Sequence, residues 1–196
     1  MILDKTLPEA PVITNYLAPP VTNMVRSTNL TLQGTREADS AIWIAGQLKA
    51  DFGSNVWSCS QTLSQGVTRL TYCAVDRAGN NSTNQEVWFL ADTVAPVVTA
   101  VAPANGTATN VSPSVIAVTY TEASSGLNLS RCTYAVAKGG VNIPGEWTYS
   151  TNMLTFTPAG TLMDGTYTVS IQLIDWLANT GTVFNSTFSV DSVAPA

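Results

Sequence analysis

The chain has 196 residues, a net charge of −5 and no histidine, and charged residues make up only 11% of it against about 25% in an average domain. Without histidine, Ser-His-Asp and Cys-His catalysis and imidazole metal sites are ruled out, and eight scattered basic residues form no stripe that could neutralise phosphates, so nucleic acid is not an expected partner. No apolar run approaches the roughly 20 residues that a membrane-spanning helix needs, so no membrane insertion is expected, and Met1-Ile2-Leu3-Asp4 lacks the basic and apolar regions of a signal peptide.

Along the chain the apolar residues recur with period two, the spacing of a strand with one buried face. The first half gives Leu30 and Leu32, the run Ile42-Trp43-Ile44, then Trp57, then Leu70, Tyr72 and Ala74, and finally Val87 and Phe89. The second half gives Ile116, Val118 and Tyr120, then Leu154, Phe156 and Pro158, then Tyr167, Val169, Ile171 and Leu173, each run bounded by Gly, Asn, Pro or Ser. Helical periodicity is absent at useful length. Short strands at this spacing, about seven to each half, predict an all-β protein of two antiparallel sandwiches. The inward residues expected in the cores are Leu30, Leu32, Trp57, Leu63, Leu70, Tyr72 and Ala74 in one half. In the other they are Ile116, Val118, Tyr120, Phe156, Leu162, Tyr167, Val169, Ile171 and Leu173.

A single ungapped shift relates the halves. It carries Trp57 onto Phe156, Leu63 onto Leu162, Gly66 onto Gly165, Asp76 onto Asp175, Asn80 onto Asn179 and Phe89 onto Phe188. It also carries Asp92-Thr93-Val94-Ala95-Pro96 onto Asp191-Ser192-Val193-Ala194-Pro195. The halves therefore read as tandem homologous units. Asp4 to Pro8 repeats the spacing of Asp92 to Pro96, which predicts a piece of a longer series, with residues 1–8 ending one linker, 9–92 a first domain, 93–96 a linker, 97–191 a second domain and 192–196 the start of the next linker. Proline and the residue before it favour extended backbone, so these linkers are expected to be stiff.

Asp164-Gly165-Thr166-Tyr167-Thr168-Val169-Ser170-Ile171 resembles the start of strand F in fibronectin type III and immunoglobulin-like domains, where the tyrosine bonds back to upstream backbone; Thr68 takes its place in the first unit. The series Leu63-Ser64-Gln65-Gly66, Ala74-Val75-Asp76-Arg77-Ala78-Gly79-Asn80-Asn81-Ser82 and Asp92-Thr93-Val94-Ala95-Pro96 resembles the bacterial Ig-like repeats of large surface adhesins and of some secreted polysaccharide-degrading enzymes. The resemblance implies two tandem immunoglobulin-like sandwiches, extracellular at the cell surface, whose partners are neighbouring repeats and a surface protein or glycan. It implies a non-catalytic structural or adhesive stalk, or alternatively an accessory module, carbohydrate-binding or spacer, of a secreted polysaccharide-active enzyme.

No enzymatic site is expected: the thirteen Asp and Glu sit singly in predicted loops. The loops do gather oxygen donors. Asp4, Glu37, Asp39, Asp76 and Asn80 are expected near the junction at the start of the first domain, and Asp92, Glu122, Asp175 and Asn179 near the next. No cofactor is required, but calcium, which takes six to eight oxygens, suits such groups. The alternative is that Asp and Asn form side-chain turns with their own backbone. The first group is the better calcium candidate by sequence, because the second loop is rewritten around Trp176.

Of the five tryptophans, Trp57 is expected in the core and Trp88 facing outward, while Trp43 lies on a strand with one face to cover. Trp176, in a loop at a domain tip, either packs on the preceding linker or contacts a ligand. The three cysteines match no zinc spacing. Cys59 and Cys73 would face one another in a hairpin, but strands so placed usually belong to opposite sheets, leaving a disulfide or free thiols. Glycosylation sequons occur at Asn29, Asn80, Asn81, Asn105, Asn110, Asn128 and Asn185.

Overall fold

The structure is a computed structural model that describes residues 4–193. The chain forms two compact units, Met1–Thr93 and Val94–Ala196. Leu3 and the Ala194-Pro195 end of the repeated linker lie outside the described residues.

The first unit holds β1 (Val12–Ile13), β2 (Thr22–Val25), β3 (Asn29–Thr35), β4 (Ala41–Ile44), β5 (Gln47–Ala50), β6 (Val56–Thr62), β7 (Gly66–Val75) and β8 (Gln85–Ala91). They make a three-stranded sheet, β1-β3-β6, and a five-stranded sheet, β2-β8-β7-β4-β5. The second unit holds β9 (Val97–Ala102), β10 (Thr107–Thr109), β11 (Ile116–Thr121), β12 (Thr133–Lys138), β13 (Val141–Asn142), β14 (Gly145–Tyr149), β15 (Met153–Pro158), β16 (Gly165–Gln172) and β17 (Phe184–Val190). Its sheets are β14-β15-β11-β9 and β10-β17-β16-β12-β13.

The two units share one plan. In each, the first strand pairs antiparallel in one sheet and the chain then crosses to add a short strand parallel to the last one, β2 on β8 and β10 on β17. The crossings run through Pro19 and Pro20 and through Pro103, residues that donate no ladder hydrogen bond. This splitting of the first strand, with the short β5 and β13, gives more strands than the sequence pattern suggests. The second unit adds β14, which pairs with β15 from Gly145↔Pro158 to Tyr149↔Leu154. Its Trp147 packs 5.1 Å from Phe156 and 5.0 Å from Tyr134.

Burial follows the alternation. Along β7, Leu70, Tyr72 and Ala74 are buried, and along β16 Tyr167, Val169 and Ile171 are. Every residue expected in the two cores is buried, joined by Ile42, Ile44, Val87 and Phe89 in the first and by Val136, Leu154, Phe188 and Val190 in the second. Gly34 faces Trp57 across the β3–β6 pair, and a Cβ there would collide with the carbonyl oxygen of Val12 and with the indole, so only glycine lets β1 and Trp57 both close on β3. Trp57 completes its burial by donating Nε1–H to the Thr35 carbonyl at 3.1 Å.

The tyrosine corner implied by the resemblance is present: the Tyr167 hydroxyl donates to the Met163 carbonyl at 2.6 Å, and its ring stacks on Phe188 with centroids 5.2 Å apart. Cys59 and Cys73 belong to opposite sheets, Cys59 packing toward the core and Cys73 lying on the outward-facing row of β7; neither forms a disulfide. Burial pushes the thiols of Cys59, Cys73 and Cys132 up, away from the reactive thiolate.

The alternation predicts a graded mutational response in the second unit. Ile171→Ala opens a cavity in the core and should cost about 2–5 kcal/mol, whereas Tyr167→Phe keeps the ring and removes one hydrogen bond, costing about 1 kcal/mol. Urea unfolding followed by fluorescence measures both. Equal costs would mean that the corner bond, not packing, holds β16.

Candidate functional site

In an immunoglobulin-like sandwich the loops carry what the sheets do not. The loop between the last two strands is built alike in both units. After β7, Asp76 N–H donates to the Asn80 carbonyl at 3.1 Å, and Gly79 N–H to the Asp76 carbonyl at 3.1 Å. The Asp76 carboxylate accepts the backbone N–H groups of Ala78 and Asn80 and the Asn80 amide, each at 2.8 Å. After β16 the pattern repeats: Asp175 N–H to Asn179 carbonyl at 3.2 Å, Ala178 N–H to Asp175 carbonyl at 3.1 Å, and the Asp175 carboxylate accepting Asn179 N–H at 2.8 Å and its amide at 2.6 Å. The second loop, which reads as rewritten around Trp176, thus keeps the geometry of the first. Ala178 adopts φ 62°, at the place where Gly79 has φ 88°. A side chain in that left-handed region costs roughly 1–2 kcal/mol, and the Asp175 and Asn179 bonds hold it there.

The structure distributes the oxygen donors as follows. In the first unit, Asp4 caps Thr6 N–H at 2.9 Å, and its carbonyl receives the Asn80 amide at 3.3 Å. Glu37 accepts Glu9 N–H at 2.8 Å, and Asp39 pairs with Arg77 at 3.0 Å, an exposed ion pair. Arg77 also lies over Phe52, 4.9 Å from the ring centroid. These side chains are thus engaged by separate partners around the loop. In the second unit, Glu122 and Asp175 offer carboxylate oxygens within 4.8 Å of one another. Asp175 is fully buried and Asn179 is buried beside it, while Glu122 is half-buried and accepts Ser124 N–H at 3.3 Å and Gly126 N–H at 2.9 Å. Asp92, buried at the end of the first unit, donates its N–H to the Val25 carbonyl at 3.0 Å.

Each departing chain is also anchored. Thr93 N–H donates to the Gln65 side chain at 3.2 Å, and the Gln65 amide donates to the Thr93 hydroxyl. In the second unit Ser192 donates its N–H and hydroxyl to Asp164 at 2.9 and 2.8 Å. Those Ser192 bonds hold the Asp164 carboxyl below its ordinary range.

The aromatic residues divide by environment. Trp57 is core, Trp88 is half-buried on the outer face beneath Arg69 at 4.6 Å with Nε1–H donated to Glu86 at 2.9 Å, and Trp43 lies on the outer face of β4. Trp176 is 60% exposed and borders a cleft of about 830 Å³ in the second unit. The cleft runs between the segment joining β11 to β12 and the end of β14 with the turn that follows it; Tyr149, the last residue of β14, is 68% exposed. Sequence reasoning singled out Trp176 but missed Tyr149 and the cleft, because the residues between Glu122 and Thr151 that form it are mostly Ser, Gly, Asn and Ala without periodicity.

The Asn80 side-chain amide, together with the loop N–H groups, holds the Asp76 carboxyl below the ordinary aspartate range. A depressed folded-state value stabilises the fold at pH values above the unfolded aspartate pKa of about 3.9 and is lost as pH falls through the folded value. The first unit should therefore lose stability on acidification below about pH 4, and Asp76→Asn should flatten that part of the melting-temperature profile. An unchanged profile in the variant would leave the loop without its proposed anchor.

The family model for the bacterial Ig-like domain matches residues 92–190. No curated protein sequence matches the chain. Among solved structures, the methionine-rich copper resistance protein PcoC of Escherichia coli is 17% identical, with 50% of this chain and 100% of that one covered and a TM-score of 0.44. The fibronectin(III)-like modules of Clostridium thermocellum CbhA are 13% identical over 92% of this chain and 93% of theirs, with a TM-score of 0.38. SGBP-B of Bacteroides ovatus, solved in complex with a mixed-linkage heptasaccharide, is 22% identical over 95% of this chain and 48% of its own, with a TM-score of 0.34. Likenesses this distant carry no argument about ligand or activity. The family match spans half of the sequence, and with the sandwich topology and tyrosine corner it makes this chain a member of the bacterial Ig-like domain family.

Proposed function

We propose that the chain is a non-catalytic stalk segment of an extracellular bacterial surface protein. The observation that carries this reading is the pair of complete sandwiches, each with its own buried core and each with its departing chain anchored by side chains, Gln65 on Thr93 and Asp164 on Ser192. Modules that fold on their own cores and leave through anchored segments suit a load-bearing series. Such a role requires no catalytic group, and the absence of histidine from the sequence is in keeping with it. The accessory-module reading is favoured by one observation, the aromatic-lined cleft of the second unit.

Labelling intact cells of the source organism with antibody raised against the chain tests the surface role. Staining of unpermeabilised cells that is abolished by external protease is the expected result; signal only after permeabilisation would contradict it.

We also propose calcium as a stiffening ligand at the Glu122 and Asp175 carboxylates. Two carboxylates this close, one of them buried, repel one another unless a cation or hydrogen-bond donors offset the charge, and a hard divalent ion is chemically suited to them. Calcium at millimolar concentration should raise the melting temperature of the chelator-treated protein by several degrees through linkage, and Glu122→Gln should remove the effect. No change in melting temperature would leave both carboxylates as loop anchors only.

A further inference from the structure

We propose that the cleft of the second unit is a binding site for an uncharged, hydroxyl-rich ligand, a neutral oligosaccharide. This goes beyond the stalk reading, and it deepens the accessory-module reading, which rests on the same cleft.

The cleft is built in advance by contacts within the unit. Trp176 N–H donates to the Gly126 carbonyl at 3.0 Å, and Gly126 lies against the edge of the indole, close enough that an added Cβ would sit 3.8 Å from its Cδ1. Asn128 N–H donates to the Ile174 carbonyl at 2.8 Å, and Arg131 and Cys132 N–H groups return to the Asn128 carbonyl at 2.9 and 3.2 Å, which folds one wall onto the end of β16. Opposite it, the Tyr120 hydroxyl donates to the Ser150 carbonyl at 2.8 Å and pins the turn that presents Tyr149. A ligand therefore orders little on binding.

The lining selects the ligand class. Two large aromatic side chains, Trp176 and Tyr149, are exposed within one concave surface, where each leaves apolar area in contact with water without any gain in core packing. Around them stand the hydroxyls of Ser124 and Thr151, which can both donate and accept, and Ser130, whose hydroxyl donates to the buried Asn128 Oδ1 at 2.7 Å. Among the described residues the only charged side chain lining the cleft is Glu122, whose carboxylate accepts two backbone N–H groups, and no lysine or arginine lines it to receive a phosphate, sulfate or carboxylate. Sugar rings match this combination: their C–H faces lie on aromatic rings while their edge hydroxyls exchange hydrogen bonds with short polar side chains. The volume, about 830 Å³, falls in the range of sites for small ligands.

The corresponding tip of the first unit differs in chemistry. Arg77 stands where Trp176 does and is occupied by Asp39 and Phe52. The first unit is thus an internal contrast, sharing the loop geometry without the aromatic platform.

The test is calorimetric titration and amide chemical-shift mapping of the full chain with short soluble oligomers of β-glucan, xylan, mannan and N-acetylglucosamine at millimolar concentration. Binding of at least one oligomer is expected, with shifts confined to the cleft residues. Trp176→Ala should weaken it about tenfold or more, with the melting temperature unchanged because the side chain is exposed, and Tyr149→Ala should act in the same direction. Trp176→Phe should recover part of the affinity. No binding of any oligomer would overturn the proposal, and so would binding that survives Trp176→Ala or that maps to the first unit.

Discussion

Everything in each unit depends on the register of the strand that precedes the aspartate loop, β7 in the first and β16 in the second. Side chains alternate across a strand, so a slip of one residue would turn Leu70, Tyr72 and Ala74, or Tyr167, Val169 and Ile171, out of the core and bring polar neighbours in. Both strands lie inside their five-stranded sheets, paired on both edges, which makes them the best-determined segments of the fold. The glycine and tyrosine at the start of β16 and the aspartate just beyond its end then fix the loops at each pole.

The loop at the far end of these strands shows how one backbone device serves two chemistries. The carboxylate of Asp76 or Asp175 gathers N–H groups from its own turn, so the residue after it is free to vary. In the first unit that residue is Arg77, which closes on Asp39 and Phe52; in the second it is Trp176, which borders the cleft. The remaining difference is length: the segment joining β11 to β12 is longer than the one joining β3 to β4, and β14 has no counterpart among the described residues of the first unit. The frame is shared by the two units, and the chemical difference between them lies in the loops.

Most of the frame was legible in the sequence because burial on one face imposes period two, a signal that Ile116-Val118-Tyr120 or Tyr167-Val169-Ile171 carries without help from distant residues. The tyrosine corner was legible through the resemblance of Asp164–Ile171 to the start of strand F, and its partner, the Met163 carbonyl, lies four residues upstream of Tyr167. The loop after β16 was harder to read: Ala178 replaces the glycine expected at a left-handed position, so the retained turn was hidden behind an unfavourable residue. The cleft was not legible at all. It is made by three segments distant in sequence, and its polar wall has neither alternation nor a motif. Of the grouped oxygen donors, Asp76 and Asn80 meet in the loop after β7 and Asp175 and Asn179 in the loop after β16, with Glu122 near Asp175, and which donors share a loop is a matter of loop length that composition does not encode.

The central claim, that β7 and β16 set the register on which cores and loops rest, is tested most directly by native-state amide hydrogen exchange resolved by residue. The account predicts the slowest exchange at the inward residues of these two strands, Tyr72 and Ala74 in one and Val169 and Ile171 in the other, with the short edge strands β5, β10 and β13 opening first. Exchange that is faster in β16 than in β10 or β13 would contradict it.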